Sequence, residues 1–244
     1  MAVKACLFDM DGLLIDSESI YTQTTELLLA NHGRPAKFPI EVKSNMMGRP
    51  GPQAAQVFLD WAQIPGLTVP EYIAEQKALQ LTRFPHVQPL PGAVDLVSHL
   101  KQHGVGIALA TSSTSSNYAL KSSNLARLFD LFEEVRVTGD DARVVGRGKP
   151  QPDIFLTALA DLNAHLRQKT SDHIDILPAE CLVFEDGVPG VEAGLAAGMR
   201  VIWVPDQQIL SLHRHQVDEI LCGRGEMLLS LQDFDYAKYE LPTK

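Results

Sequence analysis

The 244-residue chain predicts an α/β fold, a parallel sheet with helices on both faces, interrupted after its first strand by an all-helical insertion. Three observations carry this. Short apolar runs of strand length recur along the chain and alternate with helix-length amphipathic patterns, the signature of βαβ units. Residues 17–88 break that alternation and hold helical patterns with no clear strand. The polar residues with chemical potential fall at the ends of the apolar runs, where open parallel sheets bind ligands.

The first run, Val3–Phe8, is broken only by Lys4 and ends in Asp9, with a second carboxylate at Asp11 and a turn residue at Gly12. Such a run predicts a strand buried on both faces. Unpaired carboxylates are costly to bury, so two of them at a buried strand's end call for a cation, most simply a hard divalent metal. A strand followed by an ordinary Asp-Gly turn fits the same residues. In the insertion, Ser19–Asn31, with Ser17 as a candidate N-cap and Gly33 just beyond its end, reads as a helix. Pro52–Gln63 and Glu71–Arg83 read the same way, and the Pro-rich piece FPHVQPLPG at Phe84–Gly92 closes the block. The expected division is therefore a core of 1–16 and 89–244 and a helical domain of 17–88. Its connectors, Leu14–Ser17 and Pro85–Pro91, leave the core together and could act as hinges.

Beyond the insertion, Ala93–His103 places Val94, Val97 and Leu100 on one face and stops at Gly104. The strands Val105–Ala110, Val135–Val137, Cys181–Phe184 and Val201–Val204 follow in order. Between them lie the helices Asp153–Leu162, opened by Pro152, and Pro189–Ala197. Glu226–Leu231 is expected to add an edge strand.

Composition narrows the function. A net charge of −9 argues against nucleic acid or an anionic membrane as partner, while a bound metal would still admit an anionic small substrate. Cys6, Cys181 and Cys222 lack metal-ligand spacing, and the first two sit in strand-like runs, so buried reduced thiols are expected. No secretory signal or membrane-length segment is visible, and a reducing cytoplasmic setting is expected.

Four run ends carry polar groups. Asp9 and Asp11 form the first. Thr111-Ser112-Ser113 follows Ile107–Ala110, and its hydroxyls and free N–H groups suit a phosphate or equally a helix N-cap. Lys149, in Gly148-Lys149-Pro150, is kept out of the following helix by Pro150, so its ammonium either crosses the strand ends or sits in a solvated loop. Glu185-Asp186-Gly187 follows Cys181–Phe184, where carboxylates could complete a metal site or cap a helix. Together they supply acids for a metal, a cation and hydroxyls for an anion, and a carboxylate nucleophile. That set suits phosphoryl transfer.

In this order, Asp9-x-Asp11-Gly12, Thr111, Lys149 and Glu185-Asp186 resemble the four motifs of the haloacid dehalogenase-like superfamily. The insertion resembles its α-helical cap on a Rossmann-like core, and the likeness runs over nearly the whole chain. The strings LFDMDGLLIDSE, MMGR, ALATSS, GKPQPDIF, CLVFEDGVPGVEAGLAAGM and SLQDF are similar to one eukaryotic phosphatase group within it. Ala142–Arg147 and His213–Gly225 depart from that group but carry no superfamily motif, so they bear on substrate rather than on chemistry.

The resemblance implies a Mg²⁺-dependent phosphatase acting on a small phosphorylated metabolite, expected as a monomer. Asp9 would be the nucleophile and Asp11 the acid and base. Thr111, Ser112 and Lys149 would hold the phosphate. Asp9, the main-chain carbonyl of Asp11, Asp186 and nearby Glu185 would serve the metal. Arg49 in the cap resembles a substrate-facing arginine. A sugar phosphomutase on the same scaffold is the second reading. Relatives of that kind tend to carry a histidine in the first cap helix where this chain has Tyr21. A dehalogenase needs no proton donor for its leaving group, which Asp11 would supply. A non-catalytic binding protein is the least favoured reading, since every motif residue is intact.

Overall fold

Among the described residues, six parallel strands form one sheet in the order β3-β2-β1-β4-β5-β6. In this computed structural model, which describes residues 2–47, 51–133, 135–170 and 172–243, the strands are β1 (Ala5–Phe8), β2 (Gly106–Ala110), β3 (Arg136–Val137), β4 (Cys181–Glu185), β5 (Arg200–Trp203) and β6 (Gly225–Met227). Both faces of the sheet are buried. Cys6 and Phe8 of β1 and Leu182 and Phe184 of β4 point into one core cluster. Ala5, Leu7, Cys181 and Val183 point into the other. Strands covered on both faces need no polar alternation, which is why they read as continuous apolar runs. The predicted edge strand is β6, shorter than Glu226–Leu231 and paired parallel to β5.

The helices are α1 (Ser17–Asn31), α2 (Ile40–Met46), α3 (Gly51–Ala62), α4 (Val69–Leu81), α5 (Ala93–Gln102), α6 (Ser115–Ser122), α7 (Ala126–Phe129), α8 (Asp153–Lys169), α9 (Val188–Ala196), α10 (Gln207–His213) and α11 (Val217–Leu221). Helices α5 and α7 cover one face of the sheet and α8 and α9 the other. Helix α8 runs well past Leu162. Its buried face continues through Asn163, whose side-chain amide bonds the Ile176 backbone, and Arg167 and Lys169 suit its C-terminus. The cap of α1 is Asp16 rather than Ser17: the Asp16 carboxylate accepts from the Ser19 N–H at 3.1 Å. Ser17 is thereby freed for another bond, described below. Helix α4 carries the capping box Thr68–Glu71, a signal present in the sequence.

Helices α1 to α4 form a helical cap with a hydrophobic core of its own. Leu28, Leu29, Ala55, Phe58, Ala62, Ile64 and Tyr72 make up this third cluster, with Phe58 stacked on Tyr72 at 4.5 Å. The two connectors run side by side: Asp16 N–H donates to the Gln88 carbonyl at 2.9 Å, and Leu90 N–H to the Leu14 carbonyl at 3.0 Å. Cys6 and Cys181 are buried free thiols. Burial raises both, Cys181 to about 12. Among the described residues no helix is long and apolar enough to cross a membrane.

Candidate active site

The sheet carries its polar residues to one edge. Asp9 follows β1, Thr111 follows β2, Glu185 ends β4 and Asp186 comes next. Because β1 pairs with β2 on one side and with β4 on the other, these ends are adjacent although far apart in sequence. Asp9, Glu185 and Asp186 are only 5 %, 2 % and 7 % exposed, and each offers a carboxylate oxygen within 4.8 Å of the others.

Two glycines make that crowding possible. Gly12 has φ +78°, and a Cβ there would lie 2.2 Å from Asp186 Oδ2. A Cβ on Gly190 in α9 would lie 1.9 Å from the Glu185 carboxylate. The backbone N–H groups of Asp186 and Gly187 donate to Glu185 Oε2 at 3.1 and 3.3 Å. Trp203 holds the following turn through Nε1–H to the Asp186 carbonyl at 2.8 Å.

Lys149 reaches this cluster from the loop before α8. Its buried ammonium pairs with Asp9 Oδ1, lies 2.6 Å from Glu185 Oε1 and donates to the Ala110 carbonyl at 3.1 Å. One ammonium therefore pairs with two of the three clustered carboxylates. Burial raises the Asp9 carboxyl to about 7, with Lys149 opposing and Glu185 and Asp11 adding to the rise. Asp186 is also raised well above its ordinary value, by burial first and then by Glu185, Asp9 and Glu18. Burial acts to lower Lys149, but its two carboxylates outweigh that and raise it. An all-oxygen donor set with surplus negative charge, seated where a Cβ would not fit, suits a hard divalent cation.

Asp11 sits apart from this cluster with partners of its own. Its Oδ1 accepts from Ser17 Oγ at 2.6 Å and pairs with the Lys121 ammonium, and its Oδ2 accepts from Ser113 Oγ at 2.7 Å. Burial acts to raise this carboxyl, but Lys121 and the two hydroxyls outweigh it and hold it below its usual range. Lys121 in α6 is wholly buried and is raised by Asp11 against its own desolvation.

Thr111 is buried, and its Oγ1 accepts from the Ser113 N–H at 3.1 Å, forming a tight turn. Ser112 faces solvent, while Ser113 is the buried hydroxyl bonded to Asp11. Arg49 lies outside the described residues. The sequence reading missed Lys121, Ser17 and Ser113 as partners of Asp11. Ser113 carried a signal, as part of the hydroxyl string. Lys121 carried none, because a lysine at the end of a short polar helix reads as solvated. The cap also brings Lys43 of α2 against α1, 3.1 Å from Glu18 Oε2 and 3.0 Å from Thr22 Oγ1.

A buried cluster of three carboxylates beside a buried lysine ammonium, at the carboxyl edge of a parallel sheet and next to a helical cap, points to a class of hydrolase. Residues 3–198 match the family model of the haloacid dehalogenase-like hydrolases, and the chain belongs to that family. It is 43 % identical to a Saccharomyces cerevisiae protein named "Probable pseudouridine-5'-phosphatase", over 99 % of this chain and 98 % of that one. It is 35 % identical to (DL)-glycerol-3-phosphatase 2 of Arabidopsis thaliana, over 99 % and 92 % of the two chains. The crystal structure of CbbY from Rhodobacter sphaeroides in complex with phosphate shares the fold, with a TM-score of 0.74 at 22 % identity, covering 98 % of this chain and all of that one. The chain is an enzyme, a phosphatase of this family.

Proposed function

We propose that the protein hydrolyses the phosphate monoester of a small metabolite, pseudouridine 5′-phosphate in particular, through a phosphorylated Asp9. The observation that carries the chemistry is the juxtaposition of a buried carboxylate, Asp9, and a half-buried one, Asp11, with opposite surroundings. Asp9 lies in the cation cluster beside Lys149, and Asp11 is held by hydroxyls and Lys121.

An Asp9 oxygen attacks phosphorus as the bond to the leaving oxygen breaks, and Asp11 gives that oxygen a proton. Water then attacks the acyl phosphate, Asp11 takes the water's proton, and inorganic phosphate leaves Asp9 free. In the free enzyme Asp11 is held as the carboxylate that the second step needs. A dianionic phosphate arriving nearby raises it toward the acid form that the first step needs. Lys149 balances charge on the phosphoryl oxygens, and the Thr111-Ser112 turn offers hydroxyl and N–H donors to them. Asp9, Glu185 and Asp186, with the Asp11 carbonyl, would hold Mg²⁺, which supplies charge neutralisation and orientation of the phosphate.

The core groups act on the phosphate and its ester oxygen, which every monoester shares, so selection among esters falls to the 17–88 cap. The 43 % identity, over nearly the full length of both chains, to a protein named "Probable pseudouridine-5'-phosphatase" supports the nucleotide reading. The relative named as a glycerol-3-phosphatase supports a second reading, a smaller polyol phosphate. The test is phosphate release across pseudouridine 5′-phosphate, other nucleotides, glycerol 3-phosphate and glucose 6-phosphate, with no bisphosphate activator present. The highest kcat/KM is expected for pseudouridine 5′-phosphate. Preference for glycerol 3-phosphate moves the assignment to the second reading. Turnover only with a bisphosphate makes the protein a mutase. In the same panel, Arg49→Ala is expected to cut kcat/KM for the preferred ester more than for p-nitrophenyl phosphate.

A further inference from the structure

We propose that Lys121 is a positioning residue, holding the Asp11 carboxylate in the orientation from which it delivers a proton to the leaving group, and tying that orientation to the seating of the cap. This rests on the assignment of Asp11 as the acid.

Lys121 is wholly enclosed, on a helix whose other residues are mostly polar. Every partner of its ammonium leads to Asp11 or to the cap. It pairs with Asp11 Oδ1, donates to Ser113 Oγ at 2.9 Å and donates to Tyr21 Oη at 3.0 Å. Ser113 in turn holds Asp11 Oδ2, so Lys121 bears on both carboxylate oxygens. An ammonium has donors only, so Oδ1 stays an acceptor. Oδ2 faces a hydroxyl that can turn and either donate or accept, which leaves Oδ2 as the oxygen free to exchange a proton.

The aromatic contacts place the same ammonium at the root of the cap. It lies 5.0 Å from the ring centroid of Tyr21, in α1, and 4.6 Å from that of Phe84, in the 3₁₀ turn of the returning connector. The two rings meet edge to face at 5.5 Å. Cation–ring contacts of this kind strengthen when desolvated. Ser17, the other partner of Asp11 Oδ1, opens α1. Helix α1, the Phe84–His86 turn and α6 thus meet at the Lys121 ammonium, and a shift of α1 moves both Ser17 and Tyr21, one bonded to Asp11 and the other to Lys121.

The experiment separates positioning from simple structural support by leaving group. p-Nitrophenol is a far stronger acid than an alkyl alcohol, so its phenolate departs without a donated proton. kcat/KM reads steps only through that departure, so slower hydrolysis of phosphorylated Asp9 does not enter. Wild type, Lys121→Met, Tyr21→Phe and Asp11→Asn are compared on p-nitrophenyl phosphate and on the alkyl monoester ranked first in the panel above. Thermal melts establish that each variant is folded. Lys121→Met is expected to lose at least tenfold more kcat/KM on the alkyl ester than on the phenyl ester. Tyr21→Phe, which keeps the ring and drops one bond to Lys121, should shift the same ratio at least twofold in the same direction, and it decides the matter if Lys121→Met does not fold. Equal losses on both esters, or no loss, in a folded variant overturn the proposal. If Asp11→Asn shows the split and the Lys121 and Tyr21 variants do not, the acid assignment stands and the positioning role falls. If Asp11→Asn shows no split, both fall.

Discussion

At the scale of single residues, the site works by opposing burial with charge. Asp9 and Asp11 are two positions apart, yet burial with carboxylate neighbours raises one and Lys121 lowers the other. Asp9→Asn keeps the shape of the side chain and removes the nucleophile. Its turnover is expected to fall by ~10⁴-fold or more, with the thermal transition retained and acid-stable phosphate on the protein lost after rapid quench. Wild-type turnover in this variant sinks the covalent route. Gly190 tests the packing behind the cluster. A methyl group there meets the Glu185 carboxylate at 1.9 Å, and a buried carboxylate held by two N–H groups has little room to move. Gly190→Ala is expected to cost about 1–3 kcal/mol in urea unfolding and to weaken Mg²⁺ binding in a calorimetric titration. Unchanged metal affinity would show that Glu185 is not needed in its present place.

At the scale of elements, the short strands do most of the positioning. β1, β2 and β4 end at Asp9, Thr111 and Glu185-Asp186, and parallel pairing puts those three ends side by side. The cap helices depend on their own small core, in which Phe58 is fully buried. Phe58→Ala is therefore expected to destabilise by about 3–5 kcal/mol. If α1 to α4 form a separable cooperative unit, native-state hydrogen exchange should show their amides losing protection while β1, β2, β4 and β5 keep theirs. Loss of protection in both together counts against an independent unit at 17–88.

At the scale of the whole molecule, the acidic cluster couples stability to metal and pH. Asp9 and Asp186 both have raised values in the metal-free protein. A carboxyl raised on folding keeps more protons folded than unfolded, so its contribution is full below the ordinary value and falls as pH rises. For Asp9 that window runs from 3.8 to about 7. A divalent cation needs the ionised forms and compensates their repulsion. The rise in melting temperature on adding Mg²⁺ is therefore expected to be small near the lower end of this window and to grow toward the upper end, while chelator abolishes turnover but leaves the protein folded. A Mg²⁺ increment independent of pH contradicts the placement of the metal among these carboxylates. Full turnover after exhaustive metal removal contradicts the need for it.

Much of this molecule is legible in its sequence because its main signals are local. A strand buried on both faces must be apolar throughout, so Ala5–Phe8 and Cys181–Phe184 announce themselves, and the carboxylates ending them stand out against that background. Pro150 after Lys149 and the glycines after Asp11 and Asp186 are equally local signs of where the chain turns. The sequence by itself thus determined the parallel sheet, the helical insertion and the residues gathered at the carboxyl edge. Only the tertiary structure decided which partners those residues have. Lys121 looks like a solvated lysine until α6 closes over Tyr21 and Phe84. Ser17 looks like a helix cap until Asp16 takes that place, and Ser112 and Ser113 exchange importance once one faces solvent and the other faces Asp11. The reason is physical: an apolar period is set by neighbours along the chain, whereas the worth of a buried charge is set by groups ~100 residues away in sequence and about 3 Å away in space.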